Sequence, residues 1–110
     1  MREPSYFILA ALLRGPCHGY AIIKLAEELS GGSVRLATGT LYAALDRLAE
    51  AGLLAAVKQE VVNGRARRYY ALTPAGQAAL RAEAARMAGA ARVVTDADRR
   101  RVGRPGVAPA

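Results

Sequence analysis

This chain is short of the residues on which catalysis, secretion and membrane insertion depend. Its one cysteine, Cys17, excludes an internal disulfide and leaves no cysteine-built zinc cage, which fits a reducing cytoplasm. Its one histidine, His18, is the next residue. Adjacent side chains at a helix start point apart, so these two do not converge on one substrate, and no enzyme activity, metal or cofactor is expected. His18 reads as a cap or turn residue and Cys17 as a small buried hydrophobe. No apolar run approaches the roughly 20 residues of a membrane span. The longest, 6–13, also lacks the basic lead-in and cleavage site of a secretory signal, so no membrane partner is expected and the cytoplasm, at the nucleoid, is the natural setting. Acid is scarce as well: nine Asp and Glu stand against sixteen Lys and Arg, for a net charge of +7.

A balance of that sign, with a pI near 10.3, raises the local concentration of phosphate-bearing partners, although a merely cationic soluble protein shares it. Where the charges sit decides between the two. The 110 residues, 53% of them hydrophobic, suffice for one modest core and one folded domain.

Pro4 suits a first helical position, and the apolar residues from Phe7 to Leu13 predict a buried helix that Gly15-Pro16 stops. Ile22, Leu25, Ala26 and Leu29 recur at helical spacing, away from Lys24, Glu27 and Glu28, and predict an amphipathic helix closed by Gly31-Gly32. Alternation of Val34 and Leu36 allows a small strand over 33–36. Thr38 is expected as the N-cap of a third helix, in which Leu41, Leu45 and Leu48 form one buried stripe. The opposite face carries Tyr42, Ala43, Asp46, Arg47 and Glu50. Beyond Leu54 the residues favour strands, and Asn63-Gly64 between two such runs predicts a type I′ hairpin with Arg65 at its tip. On the second strand Tyr70 shares a side with Leu72 and is expected in the core, with Tyr69 or Arg68 facing outward. Thr73-Pro74 opens a last helix as N-cap and first residue.

Helix, helix, helix and basic hairpin in this order predict a mostly α fold with a small β hairpin, of the α+β class: a winged helix-turn-helix with a C-terminal helix. In that last helix Leu80, Ala84, Met87, Ala91 and Val94 follow at spacings of four and three, a narrow apolar seam expected to join two copies in a homodimer. The expected divisions are 1–73 for the DNA-binding winged helix, 74–94 for the dimerisation helix and 95–110 for a disordered basic tail carrying Arg99-Arg100-Arg101.

Four blocks in fixed order carry a resemblance. They are Gly15-Pro16-Cys17-His18-Gly19-Tyr20, Gly39-Thr40-Leu41-Tyr42, Leu45-Asp46-Arg47-Leu48 with Gly52-Leu53, and the run from Gly64 through Arg65, Ala66, Arg67, Arg68, Tyr69, Tyr70, Ala71 and Leu72 to Thr73, with Gly76. This order closely resembles the PadR family of bacterial transcriptional regulators, in its compact branch. The resemblance implies a homodimer, one winged helix-turn-helix per subunit, and repression of a nearby promoter until a small-molecule effector or a stress signal releases the DNA. Cys17 stands where a larger aliphatic residue is common in the family, and Ala43 and Ala66 where proline is common. The two alanines leave the recognition helix more regular and the wing tip less rigid.

Double-stranded DNA, met as a palindromic operator, is therefore the expected partner. Gly39 and Ala43 allow close approach to the major groove. Thr38 and Thr40 offer hydroxyls to phosphate oxygens beside the free amides of the helix start, and Tyr42 adds a rigid hydroxyl. Arg47 either meets a phosphate or pairs with Asp46 or Glu50. Arg65, Arg67 and Arg68 repel one another unless an anion sits opposite, and Arg65 is best placed for a narrow minor groove; Tyr69 completes the expected contacts. Tyr20 and Lys24 lie one turn apart within reach of the backbone, Tyr20 being read mainly as structural. The alternative is a winged helix used for protein contact, in which the basic wing binds an acidic protein partner.

Overall fold

The computed structural model describes residues 1–102. Along the chain run α1 (Glu3–Ala11), β1 (Cys17–His18), α2 (Gly19–Leu29), α3 (Thr38–Glu50), β2 (Leu54–Val62), β3 (Arg65–Leu72) and α4 (Pro74–Val102). The strands form one antiparallel sheet in the order β1-β3-β2. This is the expected α+β winged-helix arrangement.

The core is built from the apolar stripes of the first three helices closed off by the wing base and the start of α4. Ile8 and Leu9 of α1, Ile22 of α2, Leu41 and Leu45 of α3 and Leu54 of β2 are fully buried, with Tyr70 and Leu80 beside them. Because Leu41, Ala44, Leu45 and Leu48 all turn inward, α3 can orient only one way, and its polar side faces solvent. The hairpin turns at Asn63 (φ 52°) and Gly64 (φ 76°), both left-handed as a type I′ turn requires. Its ladder pairs Leu54 with Leu72 at the base and Val62 with Arg65 at the tip, with a bulge between Ala56 and Lys58.

The joint between wing and α4 is tight. Thr73 caps α4: its hydroxyl accepts from the Gly76 N–H at 3.0 Å and donates to the Gly52 carbonyl at 2.5 Å. A Cβ placed on Gly76 would lie 1.8 Å from the Leu53 carbonyl oxygen, so only glycine lets the first turn of α4 lie on that backbone.

Four expectations are corrected. The segment 33–36 is not a strand. Ser30 holds it as an irregular turn, accepting from the Val34 N–H at 2.9 Å, while Val34 buries its side chain. The third strand is β1, whose two residues pair with Tyr70 and Tyr69 and are too few to show an alternation. Thr38 is not the cap: Ala37 holds that position without a side-chain bond, and Thr38 is the first helical residue.

Finally, α4 does not stop at Val94 but continues to Val102. Asp96 and Asp98 precede Arg99, Arg100 and Arg101 at helix-compatible spacing, the arginines suit the negative end of the helix dipole, and the first breaker is Gly103. The rest of the expected tail, 103–110, lies outside the described residues. Leu80, read as part of the dimer seam, is 4% exposed and belongs to the domain's own core.

Candidate nucleic-acid interface

The α3 surface follows from the inward stripe. At about 100° per residue, Gly39 and Ala43 fall at the middle of the outward face, Tyr42 on one shoulder and Thr40 and Arg47 on the other. Thr38, Gly39, Thr40, Tyr42, Ala43 and Arg47 are all exposed. A Cβ placed on Gly39 meets nothing within 4 Å, in contrast to Gly76, so the fold itself makes no demand for glycine there. With Ala37 in the cap position making no side-chain bond, the first amides of α3 are left unsatisfied by a cap.

Tyr42 is anchored and open at once. Its ring lies over Gly19 at the start of α2, where an added Cβ would come 2.7 Å from the phenol oxygen, yet 44% of the residue stays exposed. Between this ring and the wing lies a cleft of about 510 Å³, bordered by His18, Tyr20, Tyr42, Arg65 and Arg67. Tyr20, read from sequence mainly as structural, is 67% exposed on its rim with the Lys24 ammonium 5.6 Å from its ring. Its place on the first turn of α2, after a glycine that admits Tyr42, turns it outward.

Arg65 and Arg67 alternate with Arg68 along β3, yet near the hairpin tip all three arginines border the cleft, as sequence reasoning grouped them. Tyr69 is engaged within the wing. Its hydroxyl donates to Glu60 Oε1 at 2.5 Å, its ring meets His18 edge-on at 5.6 Å, and Lys58 Nζ sits 5.1 Å from the ring centre. Tyr69 is thus placed as a brace of the wing. Its hydrogen bond is the main reason the Glu60 carboxyl is held below its usual range, with the Lys58 and Arg67 charges adding to it against some burial.

His18 takes up its expected role: Nδ1 accepts from the Ala21 N–H at 3.4 Å, capping α2. Burial, helped by the Arg67 charge and opposed by Glu60, lowers the imidazole from its ordinary value and so favours the neutral form that can accept that bond. Cys17 is half-buried, its Sγ 3.7 Å from the Ala11 carbonyl oxygen and 3.6 Å from that of Gly15, and burial raises its thiol.

Arg47 pairs with neither Asp46 nor Glu50. Its Nη2 donates to Ser5 Oγ on α1 at 3.4 Å, a contact across 42 positions that no local pattern announces. Among the described residues no carboxylate lies within salt-bridge distance of Arg47, Arg65, Arg67 or Arg68. The arrangement is an outward helix face with a small-residue centre and a basic wing beside it, suited to an anionic surface with a groove.

On α4, Ala84 is half-buried, Met87 is 37% exposed, Ala91 is exposed and Val94 is 62% exposed. Apart from Leu80, then, the seam residues lie partly or wholly open to solvent in the single chain. No grouping of three or more His, Cys, Asp or Glu fit to hold a metal occurs among the described residues, and no helix there is long and apolar enough to cross a membrane.

Comparison with known proteins places this geometry. The model of the transcriptional regulator PadR-like family matches residues 8–82. A transcriptional regulator of Mycobacterium tuberculosis is 55% identical over 56 residues, 51% of each chain, so this chain aligns with about half the length of that relative. A PadR family transcription regulator of Clostridium difficile superposes with a TM-score of 0.69 at 25% identity, covering 86% of this chain and 97% of the other. Bacillus subtilis PadR in complex with operator DNA superposes with a TM-score of 0.64 at 25% identity, covering 73% of this chain and 45% of the other.

Proposed function

The chain belongs to the PadR-like family of transcriptional regulators, and from that premise we propose that it binds double-stranded DNA as a homodimer and represses transcription from a palindromic operator. The observation that carries the DNA-binding part is the juxtaposition of α3 and the wing. Thr38, Gly39 and Thr40 open α3 with exposed small and hydroxyl side chains, and Arg65 and Arg67 stand across the cleft with, among the described residues, no carboxylate within salt-bridge distance. A helix entering the major groove uses such a start to approach the bases, and basic side chains beside it neutralise phosphates. Arg65, at the hairpin tip, is the residue placed to reach an adjacent minor groove.

The dimer is proposed to form along α4, where Met87, Ala91 and Val94, with Ala84 beside them, make the seam; Leu80 serves the core of its own subunit. Two winged helices joined by a twofold axis read two half-sites, which accounts for the palindrome. Release by a small molecule or stress signal is proposed to act on the spacing of the two halves.

Duplexes selected by the protein from a random-sequence pool test this reading. With a footprint of about eight phosphates per dimer, the binding constant should fall with a log-log salt slope of about −7. Selection of an inverted repeat supports the dimeric arrangement. Failure to select any duplex, or binding indifferent to salt, overturns the reading and leaves an acidic protein as the partner of the wing.

A further inference from the structure

On the shoulder of α3 away from the wing lies a second basic hollow. It measures about 430 Å³ and is bordered by Arg2 and Ser5 of the α1 start and by Gly39, Thr40, Ala43 and Arg47 of α3. Two of these side chains are guanidinium groups, and among the described residues neither has a carboxylate within salt-bridge distance. Glu3, the acid next to Arg2, is engaged elsewhere, its Oε1 accepting from the Ser33 hydroxyl at 2.8 Å. Ser5 is only 6% exposed, and its oxygen accepts from Arg47 Nη2, which tethers the guanidinium beside the hollow instead of leaving it to wander in solvent.

This hollow shares Gly39 and Thr40 with the surface already assigned to the groove. A helix seated in a major groove about 12 Å wide has a sugar-phosphate wall on each side. Tyr42 and the wing stand on one shoulder of α3; Arg2, Thr40 and Arg47 stand on the other. We propose that Arg2 and Arg47, the latter held by Ser5 and flanked by the Thr40 hydroxyl, form a second phosphate clamp that grips the backbone wall opposite the wing. The inference rests on the DNA-binding reading above and extends the interface to the start of α1. Guanidinium groups suit this role because their forked donors match phosphate oxygens, and a tethered fork loses less freedom on binding than a free one. Phosphate contacts of this kind set register and orientation, so the clamp would fix how deeply α3 lies in the groove and would add no base preference of its own.

The test uses the full chain and a duplex it selects from a random pool, with Arg2→Gln, Arg47→Gln, Ser5→Ala and, as a wing reference, Arg65→Ala. One lost phosphate contact per subunit should lower the salt slope by about two units per dimer and weaken binding roughly tenfold at low salt. Arg2→Gln and Arg47→Gln should each show this, and Ser5→Ala a smaller loss in the same direction. Phosphate-ethylation interference should disappear on one wall of the groove for the Arg2 and Arg47 variants and elsewhere for Arg65→Ala. If Arg65→Ala weakens binding while the Arg2 and Arg47 variants keep the wild-type affinity, slope and ethylation pattern, the clamp is overturned and the DNA reading stands. If the wild type itself shows no salt-dependent duplex binding, the DNA reading fails and the clamp with it. Titration of the DNA-free protein with inorganic phosphate at constant ionic strength should show no saturable binding; saturable binding abolished by Arg2→Gln would make the hollow a free-anion site and overturn the clamp.

Discussion

The two ends of α4 show what a helix does with and without a partner. Its first turns are tied down on every side: Thr73 caps them, Gly76 lies on the Leu53 backbone, Leu80 fills the core, and Glu83 meets the N-terminal amine at 3.8 Å as well as Arg86. Beyond Met87 the helix carries Ala91, Val93 and Val94 into solvent. This exposed apolar stripe is the surface that the proposed second copy would cover. On the proposed reading one helix serves two purposes, with the boundary between core packing and dimer seam falling between Leu80 and Met87.

The sharpest way to break that comparison is at its tied end. Gly76→Ala forces a Cβ into the Leu53 carbonyl, and a backbone atom cannot swing aside as a flexible side chain can. We expect a loss of about 3 kcal/mol or more of folding stability, read from urea unfolding. A stability close to wild type would show that α4 leaves the wing base at little cost and that its first turn is not the anchor described.

Next in size is Met87→Glu. Met87 lies outside the core cluster, so the subunit should keep its fold while the seam gains a buried charge on each side of the twofold axis. Sedimentation should show monomers, and operator binding should be lost because each half makes too few phosphate contacts alone. An intact dimer would move the interface off this stripe. Leu80, on the core side of the boundary, is the contrasting position: truncating it to alanine should lower subunit stability by about 2–5 kcal/mol.

A smaller effect is expected at Gly39, which mirrors Gly76 in the opposite sense. One glycine is demanded by the fold and the other is not. Gly39→Ala should leave stability unchanged or raise it by up to about 1 kcal/mol, since nothing lies within 4 Å and alanine favours helix. Duplex affinity should nevertheless fall several-fold. Undiminished affinity would mean that α3 approaches DNA by another part of its surface.

These contrasts explain what was legible in the amino-acid order. The stripe of Leu41, Leu45 and Leu48, the Asn63-Gly64 turn, the Thr73-Pro74 start and the burial of Tyr70 depend on neighbours within a turn or a strand, and each is found as read. What escaped depends on distant chain. β1 exists because β3 offers it an edge, Tyr69 is engaged because Glu60 lies on the facing strand, and Arg47 meets Ser5 across 42 positions. Leu80 continues the seam's spacing, and only the packing of the domain shows which neighbours it serves. Residues 95–102 of the expected tail misled for another reason: charge without apolar periodicity looks disordered, although Asp and Arg at helical spacing extend a helix already nucleated by its packed start.

The smallest expected effect concerns His18, which joins the wing to α2. In the folded state its imidazole is pushed below the ordinary value near 6.5, first by burial and then by Arg67, so the native state binds fewer protons than the unfolded chain just below that pH. Stability from this site is therefore fully present above the unfolded value and is lost as pH falls through the window beneath it. Protonation removes the Nδ1 lone pair that accepts from Ala21 and places a cation at a helix N-terminus, two changes of the same sign. The urea midpoint should decline modestly between about pH 7.5 and pH 5, and His18→Asn, which keeps a capping side chain without a titrating ring, should flatten that part of the decline. The lowered Glu60 and Glu83 carboxyls act in the same direction but at more acidic pH, so they do not imitate the effect in this window. An unchanged profile in His18→Asn would mean that the cap is not where wing and α2 are coupled.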